Sequence, residues 1–277
     1  MNFKKITRSP ELLFKLTGLT QKQLHYFMLQ TLHLEHNKPR RGRRFSVDFI
    51  GMMVLYWIYL RHYITMEFLG AVCYDRDKST VSRHISLIRK ALENLKLPQI
   101  NREHGLNEKE ILYLIRDVTE SKCPRSGDYE TQKKYYSGKK KTHTQKTEAV
   151  IDQGKIVRSI STTQAGSTHD ITIAKTNKLS GGLENIPQKV DKGYAGLQKE
   201  YPPQLIEMPQ KKSRKCPLTF SEKLRNKMIG QDRVKVENVF AECKVFQCLA
   251  QRRRRLNNVQ YQQDISLILG VLNMRRA

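Results

Sequence analysis

Three acidic residues stand where carboxylates could hold divalent cations: Asp117 in Ile115-Arg116-Asp117-Val118-Thr119-Glu120, Asp191 in Val190-Asp191-Lys192-Gly193-Tyr194, and Glu237 in Val236-Glu237-Asn238-Val239. Two-metal phosphoryl transfer needs carboxylates from separate elements converging on two cations about 3.5–4 Å apart, one activating the attacking oxygen and the other stabilising the leaving one. Hard oxygen donors select Mg²⁺ or Mn²⁺. The surrounding chain suits a polyanion, with 51 Lys and Arg against 26 Asp and Glu and a formal charge of +25 over 277 residues. Carboxylates kept at the ends of apolar runs in so basic a chain point to metal-assisted cleavage of nucleic acid.

These acids need elements to position them. An apolar content of 38% allows an ordinary globular core and excludes wholesale disorder. The longest apolar run, residues 49–60, has 12 residues and reads as a buried helix, because a spanning helix needs about 20. No secretory signal is expected, since Pro10 and Glu11 follow the basic N-terminal residues. The cysteines at 73, 123, 216, 243 and 248 form no CxxC pair, so neither a disulfide framework nor a zinc ribbon is suggested. A reducing compartment follows, and the expected location is the cytoplasm, in association with the nucleoid.

Residues 1 to about 100 read as helical. Ser9 with Pro10 opens a short helix ending near Gly18, and Thr20 with Gln23 makes a capping box for the next, over roughly 21–34. His36 to Arg44 reads as a basic loop or arm, after which Ser46 caps the apolar helix containing Trp57. Two helices around a turn at residues 74–77 follow, the second capped by Ser79 or Thr80. Its Val81, Ile85, Ile88 and Leu95 mark a buried side, leaving Ser82, Arg83, Ser86 and Arg89 to face outward. Small hydroxyls and arginines there suit a major-groove recognition helix, although a plain hairpin with a charged face has the same periodicity.

From Ile111 the period changes. Residues 111–115 form an apolar run of strand length, ending at Asp117, and residues 146–152 and 155–162 alternate around Gln153-Gly154 as a hairpin. A short helix to about Asn177, a strand over 187–191 finishing on Asp191, and a strand over 205–208 come next. Thr219 with Glu222 caps a helix interrupted at Gly230 and resuming through Phe246. The fold class is therefore α/β, a helical region of 1–105, with its helix-turn-helix at about 65–95, followed by a mixed-sheet domain of 106–277. Asp117 and Asp191 fall at strand ends, where open sheets place their sites. Lys139, Lys140 and Lys141 beside Tyr135 and Tyr136, and the run Arg252-Arg253-Arg254-Arg255, read as phosphate contacts, with a merely solvated turn and a solvated surface as the respective alternatives.

From Ile115 to about Asn273 the chain resembles the endonuclease domain of DDE transposases, in the bacterial insertion-sequence branch related to the Harbinger transposases. The matching blocks are Asp117-Val118-Thr119-Glu120, Tyr135 to His143, Gly166-Ser167-Thr168-His169-Asp170, Asp191-Lys192-Gly193-Tyr194-Ala195-Gly196 and Arg233 to Asn238. The resemblance implies an RNase H-like fold, Asp117, Asp191 and Glu237 as catalytic ligands of two Mg²⁺ or Mn²⁺, and Tyr194 and Lys244 as DNA contacts. It also implies double-stranded DNA partners, namely the element's own inverted repeats and a target site, with no membrane and a homo-oligomer bringing two ends together. Asp170 is the rival acid, read as structural and capping the helix after Gly166, because the 46 residues from Asp191 to Glu237 are typical of the branch. The chain departs from the family in Val118, where Gly commonly follows the first acid, and in Ala241-Glu242-Cys243, where arginines are usual. The expected activity is strand cleavage followed by strand transfer. The alternative is a transposase-derived protein that binds DNA without cutting it; a nuclease acting on RNA in hybrids is a third reading.

Overall fold

A computed structural model describes residues 3–36, 48–74, 76–93, 111–212 and 217–276. Most of the basic arm, Ser46, Leu95, Cys216 and the boundary expected near residue 105 lie outside these. The chain divides into two compact units, Met1–Pro98 with Lys244–Gln251, and Gln99–Cys243 with Arg252–Ala277. The return of residues 244–251 to the N-terminal unit is not foreshadowed by any composition shift.

The first unit is helical: α1 (Phe3–Arg8), α2 (Pro10–Thr17), α3 (Gln21–His36), α4 (Phe49–His62), α5 (Met66–Leu69) and α6 (Lys78–Glu93). The helix starts follow from local hydrogen bonding. Ser9 Oγ accepts from Leu12 N–H, and Thr20 and Gln23 cap one another's amides reciprocally. α4 starts at Asp48, whose carboxylate accepts from Gly51 N–H at 2.8 Å, rather than after Ser46. α6 likewise starts at Asp77, which accepts from Thr80 N–H at 2.6 Å, instead of at Ser79 or Thr80. In both places a carboxylate serves the helix start, satisfying an orphan amide and meeting the positive end of the helix dipole. α4 is apolar all round and central, with Trp57 fully buried against Phe27 and Phe246 at ring-centroid distances of 5.3 and 6.1 Å.

Between α5 and α6 the chain makes a wide π turn over Gly70–Tyr74. A side chain at Gly70 would meet the Arg76 carbonyl at 2.3 Å, so the close return of the chain into α6 needs glycine there. α6 buries Val81, His84, Ile85, Ile88, Ala91 and Leu92.

The second unit is α/β and of the RNase H-like kind, as expected. Its elements are β1 (Leu114–Lys122), α7 (Tyr129–Tyr135), β2 (Tyr136–Ser137), β3 (Thr142–Asp152), β4 (Val157–Ile160), β5 (Gln164–Ala165), α8 (Asp170–Thr176), β6 (Gln188–Lys189), β7 (Ile206–Glu207) and α9 (Phe220–Lys244). The short α10 (Gln247–Ala250) belongs to the first unit, and α11 (Asn258–Arg276) closes the second. The sheet runs β2-β3-β1-β6-β7, with β4 and β5 also pairing along β3. β1 and β3 are antiparallel over nine residue pairs, whereas β1–β6 and β6–β7 are parallel and only two pairs long.

Alternate residues of β1 serve opposite faces. On one face Ser121 accepts a hydrogen bond from Tyr261 of α11; on the other Arg116 meets the carbonyls at the end of α8. α9 runs unbroken through Gly230 for 25 residues, where an interruption was expected. One glycine costs a helix about 1 kcal/mol, which the packing of Ile229, Val236, Val239 and Phe240 outweighs. Among the described residues no helix is long and apolar enough to cross a membrane.

Candidate active site

Asp117 lies in the middle of β1, not at its end. What opens the sheet beside it is the brevity of β6. Leu114 and Ile115 pair with Gln188 and Lys189, and the same parallel register carried on aligns Asp117 with Asp191, just where the pairing has stopped. Asp191 therefore lies in the gap, its carboxylate accepting from Gly193 N–H at 2.7 Å to start a single 3₁₀ turn.

Both carboxylates converge on one cation. Arg233 Nη2, from α9, is 3.8 Å from an oxygen of Asp117 and 3.8 Å from an oxygen of Asp191. Burial pushes the Asp117 carboxyl up from 3.8 to about 6; the Arg233 charge and the Val118 amide pull it down, while Asp191 and Asp170 push it up further. Hard oxygens already gathered about a positive charge are a donor set suited to Mg²⁺ or Mn²⁺.

Asp170 adjoins this pair and does not cap α8. The N-cap position is His169, without a side-chain cap. Instead Asp170 accepts from Lys146 Nζ at 3.0 Å, and that ammonium also bonds the Thr168 carbonyl and lies 3.7 Å from Glu120. A Cβ on Gly193 would stand 2.9 Å from an Asp191 oxygen and 3.3 Å from an Asp170 oxygen, so the two carboxylates crowd one glycine. The result is a chain of alternating charge, Arg233, the Asp117–Asp191–Asp170 group, Lys146 and Glu120.

Glu237 follows Arg233 by one turn of α9 and is exposed. It is not gathered with the two aspartates, and among the described residues no group of three or more His, Cys, Asp and Glu side chains is arranged to hold a metal ion. α9 itself is braced against the sheet by Asp232. Against the upward effect of its burial, hydrogen bonds from Lys189, Tyr113 and Lys235 hold this carboxyl down to about 2. The Lys189 ammonium also lies 3.8 Å from the centre of the Tyr113 ring.

The residues expected to contact DNA divide by environment. Arg83, Ser86, Lys139, Lys140, Lys141, Lys244, Arg252, Arg254 and Arg255 are exposed, and Ser82 is half-buried. Arg89 is half-buried too, its guanidinium 5.6 Å from the centre of the Tyr56 ring, so it does not simply face outward. Two expectations need correction. Tyr194 is fully buried, in a core cluster with Ala174, Val190, Leu197 and Ile206, and its ring is inside the fold rather than at a phosphate. Arg253 is 6% exposed and ion-paired at 2.7 Å with buried Asp264, so the four-arginine run has one member turned into the core.

Sequence reasoning missed a buried ion pair behind the acids, Arg116 with Glu148, both side chains at 0% exposure. The signal was present in Ile115-Arg116-Asp117, a cation embedded in a strand otherwise apolar on its N-terminal side.

A short mixed sheet whose interior strand and neighbouring strand end bring two aspartates together beside one arginine is the local geometry of this site. Residues 116–273 match the DDE superfamily endonuclease family, and the chain belongs to that family. Over 271 residues, 95% of this chain and 94% of the relative, it is 29% identical to a protein described as a probable transposase for insertion sequence element IS702, from Microchaete diplosiphon. No solved structure matches the chain.

Proposed function

We infer that this protein is an insertion-sequence transposase that binds the terminal inverted repeats of its own element, cuts the DNA there and joins the released end to a target. The observation that carries this reading is the convergence of Asp117 and Asp191 on the Arg233 guanidinium, within a chain of the DDE endonuclease family. The curated relative's description as a probable transposase supports the mobile-element role.

In this reading Asp117 and Asp191 would hold the metal, with Glu237, one turn after Arg233 on α9, as the third ligand. When bound, Mg²⁺ or Mn²⁺ ions would supply Lewis acidity for phosphoryl transfer. Arg233 neutralises the aspartates beforehand and turns to the incoming phosphate. α5, the π turn and α6 act as the helix-turn-helix, with Ser82, Arg83 and Ser86 reaching base edges and backbone. Lys139, Lys140, Lys141, Lys244, Arg252, Arg254 and Arg255 contact phosphates, which makes binding strongly salt-dependent. Two copies assemble on paired ends, and the protein works in the cytoplasm at the nucleoid.

The test is strand cleavage of a duplex bearing the inverted repeat that flanks the gene, with Mg²⁺ or Mn²⁺, comparing wild type and Asp117→Asn. Cuts at the repeat boundary by wild type alone support the reading. Binding without cutting by wild type would leave a transposase-derived DNA-binding protein, and equal cutting by both proteins would refute the catalytic role of Asp117.

A further inference from the structure

We propose that Arg116 is a positioning residue that fixes the spacing of the site's aspartates, an assignment that rests on the reading of Asp117 and Asp191 as metal ligands. Every nitrogen of its buried guanidinium is engaged. Nε and Nη2 donate to the two oxygens of Glu148 at 3.0 and 2.8 Å, Nη1 donates to Gln188 Oε1 at 3.1 Å, and Nη2 also reaches the Ala174 and Asn177 carbonyls at 3.1 Å each. Asn177 in turn donates from Nδ2 to Glu148 Oε2 at 2.7 Å, closing the network.

The partners are the segments that carry the acids. Arg116 is next to Asp117 on β1. Gln188 lies on β6, three residues before Asp191. Ala174 and Asn177 mark the C-terminal end of α8, whose first residue is Asp170. β6 is held to β1 by only two residue pairs, and the Gln188 side chain adds a further tether between them through Arg116. Through β1, β6 and α8 one planar guanidinium thus sets where three carboxylates stand.

Stability alone explains such a pair poorly. Buried ion pairs can often be replaced by apolar residues of similar volume at no cost, because desolvating two charges offsets their attraction. Positional demand explains it better. Catalytic constellations tolerate displacements of about 0.5 Å, and the rigid five-donor fork of arginine can hold several acceptors at fixed angles where a lysine ammonium cannot.

The experiment measures Mn²⁺ binding to the full-length protein by electron paramagnetic resonance of the free ion, a readout independent of DNA cutting. Wild type, Arg116→Lys, Gln188→Met and Asp191→Asn are compared, with folding followed by circular dichroism. Lysine keeps the charge opposite Glu148 but not the fork, and Gln188→Met removes only the tether to β6. Loss of about tenfold in Mn²⁺ affinity for folded Arg116→Lys, and a severalfold loss for Gln188→Met, are expected, in the range seen when residues supporting metal ligands are altered. Affinity within twofold of wild type in folded Arg116→Lys overturns the proposal. If Arg116→Lys does not fold, Gln188→Met decides, and unchanged affinity there overturns it equally. Asp191→Asn separates the two readings. If it binds Mn²⁺ as wild type does, the ligand assignment itself fails, whereas loss there with no loss in the other variants refutes the positioning role alone.

Discussion

Replacing Asp117 by asparagine should make the metal-free protein more stable, and the gain should depend on pH in one direction only. Burial moves this carboxyl from 3.8 to about 6, so folding favours its protonated form. At about 1.36 kcal/mol for each pH unit of displacement, holding the ionised group inside the fold costs about 3 kcal/mol once the pH is well above 6. The folded state binds the extra proton between the two values. The cost is therefore absent below pH 3.8, grows as the pH rises through 6, and is constant above. Asparagine keeps the shape and the acceptor that receives the Val118 amide at 2.9 Å, and removes the charge. At pH 8 with EDTA, Asp117→Asn should melt about 6–10 °C above wild type in scanning calorimetry, and the gap should close towards pH 4. Saturating Mn²⁺ should raise wild type and leave the variant in place, because only the native site gains the ligand's binding energy. A variant melting below wild type at pH 8, or a gap that widens on acidification, would refute the electrostatic account of this site.

Three further outcomes follow from the same structure. Asp232→Asn should lose about 1 kcal/mol at pH 7 in urea titrations, after discounting its partial exposure; because the folded value of about 2 lies below the ordinary one, this contribution exists above about pH 4 and is lost as the pH falls towards 2, where variant and wild type should coincide. Arg253→Ala should destabilise the fold by about 3–5 kcal/mol by removing one member of a buried ion pair with Asp264, whereas Arg255→Ala should leave the melting temperature unchanged and lower the slope of log affinity for DNA against log salt by about one. Gly193→Ala should keep the fold and weaken Mn²⁺ binding, since the new Cβ at 2.9 Å displaces the Asp191 carboxylate; equal Mn²⁺ affinity would show that this carboxylate is not constrained there.

Much of the architecture could be read from short stretches. The capping boxes at Thr20 and Thr219, the stop at Gly18 and the hairpin around Gln153-Gly154 depend on residues within four or five positions of one another, and they stand where they were expected. Local chemistry also misled where two candidates competed, as when Asp48 and Asp77 capped the helices that Ser46 and Ser79 or Thr80 were expected to cap. The burial of Tyr194 and Arg253 could not be read at all, because an aromatic after a glycine and one arginine among four look the same in a string whether they face solvent or core.

By itself, then, the sequence determined the α/β class, the succession of helices and strands, the strongly basic surface and the acids worth examining, because propensity, capping and periodicity act over a few residues. The tertiary structure alone decided which acids meet. Asp117 and Asp191 are neighbours because a two-residue strand ends early beside a nine-residue one, and Asp170 joins them because Lys146 reaches across from β3. Arg116 became visible as the hub behind them only once partners 32 and 72 residues away were brought to it. Desolvation of a charge is a property of everything packed around it, and no window of sequence contains that.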